Sequence, residues 1–414
     1  MDNGKTFSLS KDYYFKRYAW KMTLIPHFNP PLDLEMVVVI PAYKEPQLST
    51  AVRSILNCQD VPCKVIILVI INAPEQSSLD DFNQNKKTYE EIKKIKDTNK
   101  ISIQVVNIHL PQKKAGVGLA RKIGLDEAAR WFKKLNKSGI LVCFDGDCQC
   151  SDNYLVAIYK AYKDQNLNAA ILSYEHPLDL VSGIIPYELG LRYYTDGLRY
   201  SGYPNVHQTL GSCITINSDH YCKYGGMNTK KAGEDFYFLN KIVRKPRFAE
   251  IHEALVYPAA RISDRVPFGT GRALIGYQIN KEKILSAYNP SIFEDLKIFL
   301  TNLPQIIQGQ SPGLPESIQS FLNSIDFYQK INKLSKNSNH LTSFFKQFYD
   351  WFDYFMILKL IHFLRNHFYP NIPLKIALTQ LNKNYWKIKA FKNLTFHDQL
   401  IKIRELNRLD KQSI

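Results

Sequence analysis

Apolar residues in the first half of the chain fall in short unbroken runs rather than alternating with polar ones. Met36 to Ile40 and Lys64 to Ile71 are such runs, Ile101 to Val106 and Ile140 to Phe144 continue the series, and Ala169 to Leu172 is a further candidate. The first two, with their apolar residues unbroken, predict strands covered on both faces, as in parallel sheets. Between them, Leu48 to Leu56 has helical apolar spacing. Gly118 to Lys134 is the stronger helix, with Ala120, Ile123, Gly124, Ala128 and Trp131 on one side. Opposite them, Lys122, Asp126 and Arg130 stand four apart with alternating sign, which predicts a solvated, mutually supporting face. Strand and helix in alternation predict an α/β fold with a doubly wound, mostly parallel sheet, whose ligands bind beyond the carboxyl ends of the strands.

The pattern changes after Arg272. Tyr277 to Ile414 is rich in Lys, Asn, Leu and aromatics, broken by Gln308 to Gly313 and by Pro370 to Pro373, and predicts a helical C-terminal appendage hinged near those breaks. The expected organisation is a lead-in over 1–35, an α/β domain over 36–272 and a helical region over 273–414. Leu341 to Phe368 reads as helix packed on the domain or on a partner. Its Lys and Arg beside an aromatic face leave peripheral membrane contact open.

At 414 residues, 45% hydrophobic and 13% aromatic, the chain is globular and has ample core. Its net charge of +16 points to an anionic partner without choosing among nucleic acid, membrane and phosphorylated substrate. Seven cysteines without framework spacing predict reduced thiols, and Cys148-Gln-Cys150 lacks the four-ligand spacing of structural zinc. Met1 to Trp20 carries no uninterrupted apolar core, and no segment reaches the roughly 18 apolar residues of a spanning helix. The expected location is cytoplasmic, with contact at the inner membrane face left open.

Chemistry concentrates where Ile140-Leu141-Val142-Cys143-Phe144 breaks off into Asp145-Gly146-Asp147. A buried strand ending in two carboxylates delivers them to the sheet's carboxyl edge, where oxygen ligands suit a hard divalent cation facing a diphosphate. The first strand runs into Pro41-Ala42-Tyr43-Lys44-Glu45-Pro46, and no Gly-x-Gly-x-x-Gly follows it; Gly116-Val117-Gly118 has Arg121 at the third glycine position. Hydride-transfer and P-loop chemistry are thereby disfavoured.

With VVVIPAYKE at the first strand, KKAGVGLARKIGLDEA before a helix, CFDGDC at a strand end and GGMNTKKAGEDFYFL downstream, the chain resembles family 2 glycosyltransferases of the GT-A fold over about Met36 to Arg272. The resemblance implies that Pro41, Ala42, Tyr43 and Glu45 surround a nucleoside. Asn72 stands where the family usually has a base-binding Asp, which leaves base identity open. Lys113, Lys114 and Arg121 suit phosphate or ribose, and Asp145 and Asp147 would ligate Mg2+ or Mn2+. Asp235 would be the general base that deprotonates an acceptor hydroxyl, with Glu234 positioning it.

Tyr174 to Pro177, Tyr187 to Tyr200 and His207 to Ser212 read as acceptor or diphosphate surface, and Arg265 in the Gly-rich loop Arg261 to Gly271 could meet the diphosphate. His252 reads as structural. The expected function is metal-dependent, inverting transfer of a sugar from a nucleotide-diphosphate donor to a saccharide or lipid-linked hydroxyl acceptor. A retaining transferase and a non-catalytic, basic nucleic-acid-binding protein are the alternatives. No nucleic-acid-binding module appears, so nucleic acid is not an expected partner.

Overall fold

The structure is a computed structural model that describes residues 11–263, 269–338 and 340–409. It divides into two compact units, each discontinuous in sequence: Met1–Pro177 with Thr209–Ala259, and Leu178–Gln208 with Ala260–Ile414.

The first unit is built on an eight-stranded mixed sheet. Its strands are β1 (Leu34–Ala42), β2 (Lys64–Pro74), β3 (Ile101–Leu110), β4 (Ile140–Cys143), β5 (Gln149–Cys150), β6 (Ala169–Tyr174), β7 (Ile214–Asn217) and β8 (Phe248–Tyr257), in the order β3-β2-β1-β4-β7-β6-β8-β5. The pairings β1–β2, β1–β4, β2–β3 and β6–β8 are parallel, and β4–β7, β6–β7 and β5–β8 are antiparallel. Consecutive residues point to opposite faces of a strand. Met36 to Ile40 are all 0% exposed, so both faces of β1 are covered, as the unbroken apolar run predicted. One cover is the helix Val117–Lys134. A Cβ on its Gly124 would lie 2.4 Å from Val39 Cγ1 and 3.0 Å from Ile70 Cγ1, so glycine lets the helix rest directly on β1 and β2.

The opposite face of that helix is a correction to the sequence reading. Lys122 and Asp126 are buried, not solvated. Asp126 is the hub of a polar network: it accepts from Tyr14 Oη (2.5 Å), Tyr221 Oη (2.7 Å) and the Trp20 amide (2.7 Å), and Lys122 Nζ lies 3.0 Å away. The cause is the lead-in segment, helical over 11–17, whose aromatic residues cover the helix and satisfy its charges. All seven cysteines are free and buried.

The second unit is mainly helical, as expected of the C-terminal region, and includes the helix Ile184–Tyr200. Its core is aromatic: Phe299 meets Phe327 and Phe352 at 5.5 and 5.6 Å between ring centres, and Phe348 stacks on Phe352 at 5.3 Å. Leu341 to Phe368 forms two helices, Leu341–Trp351 and Tyr354–His367, divided where Asp353 caps the second through the amides of Phe355 and Met356. Phe344, Phe348, Ile357, Leu360, Ile361 and Leu364 are buried in this unit. No described helix is long and apolar enough to cross a membrane.

Candidate active site

The site lies in the first unit and is organised by Arg121, one turn into the helix Val117–Lys134 and 2% exposed. Nη2 of Arg121 donates to Asp145 Oδ1 at 2.5 Å, and Nη1 donates to Glu234 Oε1. Two carboxylates separated by 89 residues of sequence are thus clamped by one guanidinium. Close approach of three segments makes this possible. A Cβ on Gly118 would sit 2.1 Å from the Lys230 carbonyl oxygen and 2.9 Å from Glu234 Cβ; one on Gly211 would sit 2.8 Å from both terminal nitrogens of Arg121. Gly233, with φ of +72°, turns the chain in the left-handed region immediately before the helix Glu234–Ile242.

Asp145 emerges at the end of β4. The Phe144 amide prolongs the ladder to Val39, and the Cys148 amide donates to the Asp145 carbonyl at 3.1 Å, closing a tight turn that presents Asp145 and Asp147. Both are partly exposed, Asp145 at 34% for its side chain. The turn lies against the first-strand loop: a Cβ on Gly146 would be 3.4 Å from Glu45 Cγ and 3.5 Å from the Pro41 carbonyl. Asp235 is also partly buried, and its Oδ1 accepts from the Phe236 amide at 2.8 Å.

Burial and crowding set the electrostatics. The Glu234 carboxyl is pushed up to about 7 by burial, against the opposing pull of Arg121 and with a further push from Asp235. Asp235 is raised for the same first reason, opposed by Arg121 and reinforced by Asp145. For Arg121, burial alone would favour loss of its proton, but Asp145 and Glu234 together overcome it and hold the guanidinium charged. Three carboxyl groups, Asp145 of the partly exposed pair among them, share one cation, so the site carries a negative surplus whenever more than one of them is ionised.

The other expected positions divide. Pro41, Ala42 and Glu45 are buried at the end of β1, where Glu45 Oε1 accepts from the Gln47 amide. Tyr43 Oη donates to Asp81 Oδ2 at 2.7 Å, and Lys44 Nζ lies 2.5 Å from Asp81 Oδ1. Asn72 is 4% exposed and directs its Nδ2 at the carbonyls of Ala42 (2.9 Å) and Ile70 (3.3 Å), so its amide donors pin β2 to β1 rather than facing a base. Lys113 and Lys114 are exposed. Arg121 stands apart from the phosphate or ribose contact expected of it: both terminal nitrogens already hold carboxylates inside the protein. Arg265 lies outside the described residues. His252 bonds Ser173 Oγ through Nδ1 at 3.0 Å, with Glu250 3.7 Å from its Nε2.

Sequence reasoning missed Asp81 and Asn85, both on the helix Leu79–Lys93. Asp81 receives Tyr43 and Lys44, and Lys44 draws its carboxyl below the usual range. Asn85 accepts from the Lys44 amide (3.1 Å) and donates to the Asn72 carbonyl (2.9 Å). The available signal was Ser78 with acids following in the first turn, a helix-start pattern next to the β2 end.

The chain is similar to known transferases in one extended region: residues 37–224 match the family model described as glycosyl transferase family 2. The match covers a little under half of the chain. The matched residues hold β1, the Asp145–Asp147 turn and Arg121, and the mixed, mostly parallel sheet agrees with the doubly wound α/β fold read from the sequence. No curated protein sequence matches the chain.

Among solved structures, S. aureus TarS is similar at a TM-score of 0.36 and 12% identity, over 54% of this chain and 36% of that one. Its 1–349 portion in complex with UDP-GlcNAc is similar at 0.35 and 12%, over 91% and 92%. GalNAc-T7 with UDP, GalNAc and Mn2+ is similar at 0.35 and 12%, over 55% and 44%. The chain therefore spans about a third of the full TarS chain.

Proposed function

We propose that the protein is a metal-dependent glycosyltransferase that moves a sugar from a nucleotide-diphosphate donor to a hydroxyl acceptor with inversion, in glycan or lipid-linked saccharide synthesis. One observation carries the reading: Arg121 gathers Asp145, at the end of β4, with Glu234, the neighbour of Asp235, and both Arg121 and Asp145 lie in the region that matches the glycosyl transferase family 2 model. A nucleic-acid-binding protein has no need of a negative surplus at a strand end, so that alternative loses ground.

The donor set suits a hard cation. Mg2+-type sites use one or two carboxylates together with substrate phosphates and water rather than a full protein cage, and Asp145 and Asp147 offer two carboxylates from one turn. Among the described residues no group of three or more His, Cys, Asp or Glu is placed to hold a metal. A bound Mg2+ or Mn2+ would neutralise charge that develops on the leaving nucleotide.

The chain's own residues supply the rest. Tyr43, beside Asp81, and the buried loop at Pro41 form the wall for the nucleoside. Asp235 accepts the proton of the attacking hydroxyl, and its raised affinity for protons makes it a better base than an ordinary aspartate. Glu234 and Arg121 position it. The proposed setting is cytoplasmic, with the helical unit, where Leu341 and Ile376 are 54% and 50% exposed, reaching the inner membrane face.

The test is a screen of UDP-, GDP- and dTDP-sugars for hydrolysis with Mn2+ or Mg2+, followed by NMR of the product anomer. Hydrolysis of one donor class that stops on chelation supports the proposal; none in any class, with or without metal, overturns it. A retained anomer would recast Asp235 as an orienting group.

A further inference from the structure

At the far end of the Glu234–Ile242 helix, about 9 Å along its axis from the carboxylates at 1.5 Å per residue, the first unit holds a cavity of about 440 Å³. The volume is in the range of small-molecule sites. Its walls include Tyr13, Tyr18 and Tyr224 with Lys223, Lys241 and Lys245. Tyr13 and Tyr18 come from the lead-in segment, are 51% and 50% exposed, and meet edge to face at 5.9 Å.

Two half-buried lysines here lack the carboxylate partner that cations withdrawn from water ordinarily have. Lys241 Nζ donates to the Gly226 carbonyl at 2.9 Å, and Lys245 lies 5.9 Å from the Tyr224 ring centre. Among the described residues, neither pairs with a carboxylate. Burial, with the charges of Lys122 and Lys245, pushes Lys241 down to about 8. A lysine at a helix C-terminus is ordinary, since it meets the negative end of the dipole. That accounts for one cation, but not for mutually repelling cations around a tyrosine-walled hollow. An anion placed between them would relieve the repulsion, while the rings offer flat apolar faces and phenolic hydroxyls.

We propose that this cavity binds a phosphorylated saccharide, with Lys241 and Lys245 holding the phosphate and Tyr13, Tyr18 and Tyr224 facing the sugar. The phosphate half stands on the lysines alone; the sugar half rests on the glycosyltransferase reading. Occupancy would anchor an anionic acceptor, or the earlier part of a growing anionic glycan, beside the transfer site.

The experiment is calorimetric titration of the full chain with glucose 6-phosphate, inorganic phosphate and glucose, repeated for Lys241→Ala/Lys245→Ala and for Tyr13→Ala/Tyr18→Ala. The tyrosine variant removes two half-exposed rings and keeps the test sound if the lysine variant folds poorly. Expected are one glucose 6-phosphate site per chain, at least about tenfold weaker binding in the lysine variant, and severalfold weaker binding in the tyrosine variant. No saturable binding, or affinity unchanged in both variants, overturns the proposal. Inorganic phosphate matching glucose 6-phosphate overturns the sugar half, and glucose matching it overturns the phosphate half. UDP with Mn2+ is titrated in parallel: its failure to bind wild type counts against the carboxylate site, whereas unchanged UDP binding in the lysine variant beside lost glucose 6-phosphate binding separates the two sites.

Discussion

Both units bury clusters of charge, and two of those clusters, one in each unit, are built on opposite principles. In the helical unit, Glu188 is 0% exposed and held by two guanidiniums: Arg192 Nε and Nη2 at 2.8 Å, and Arg404 Nε and Nη2 at 2.8 and 2.7 Å. Arg192 also donates to Asn407 Oδ1 at 3.1 Å. Every oxygen of the carboxylate has a donor from the protein itself. In the sheet unit the ratio is inverted, with Asp145, Glu234 and Asp235 around the single cation Arg121, and Asp145 reaches solvent. Burying charge is tolerable only when it is paired and hydrogen-bonded. The Glu188 cluster meets that condition by itself and so serves structure. The Arg121 cluster meets it only in part, and on the proposed function a cation or a proton brought from outside would complete it.

The contrast breaks most sharply at Asp235. Asp235→Asn keeps the shape and the Phe236 amide contact but cannot take a proton, so kcat should fall by about 10^2 to 10^4 while calorimetry shows nucleotide and metal binding unchanged. Full turnover in that variant would leave the sheet cluster as structural as the helical one. Next in size, Arg404→Ala strips half the pairing from a fully buried carboxylate and should cost about 3–5 kcal/mol in denaturant unfolding. A loss near zero would mean that Glu188 is not the closed pair its geometry describes. Gly118→Ala tests how the sheet cluster is assembled. Its methyl would land 2.1 Å from the Lys230 carbonyl, so the loop before Glu234 must withdraw, at about 1–3 kcal/mol of stability and with weakened donor hydrolysis. Wild-type stability and activity together would show that the close approach is dispensable.

How much of this was legible follows from which residues talk to near neighbours. Met36 to Ile40 and Ile140 to Phe144 announce buried strands because both faces must be apolar, and Asp145-Gly146-Asp147 announces itself by ending one. The position of Glu234-Asp235 in its motif was readable too, but its ion pair with Arg121 was not. That contact spans 113 residues and depends on glycines at 118 and 211 whose close approaches to distant segments no local pattern announces. Lys122 and Asp126 deceived for a related reason. Helical periodicity sorts charged residues onto a solvated face, and only the distant Tyr14 and Tyr221 make that face an interior. Arg404, 216 residues from Glu188, carries no local signal at all.

The finest test of the comparison is the pH dependence of stability. Glu234 titrates near 7 in the folded chain against an ordinary 4.5, because burial disfavours its charged form more than Arg121 restores it. Between those values the folded state therefore holds a proton that the unfolded state has released. Its contribution is complete below about 4.5 and is lost as pH rises through 7, at about 1 kcal/mol for each pH unit in the window. Glu234→Gln retains an oxygen for Arg121 Nη1 and has nothing to titrate, so unfolding measured at pH 5, 6 and 7 should show a flatter slope than wild type. Parallel slopes would mean that Arg121 fully compensates Glu234 in the fold. The sheet cluster would then be as self-sufficient as the one around Glu188, and the argument that it awaits a cation would lose its electrostatic ground.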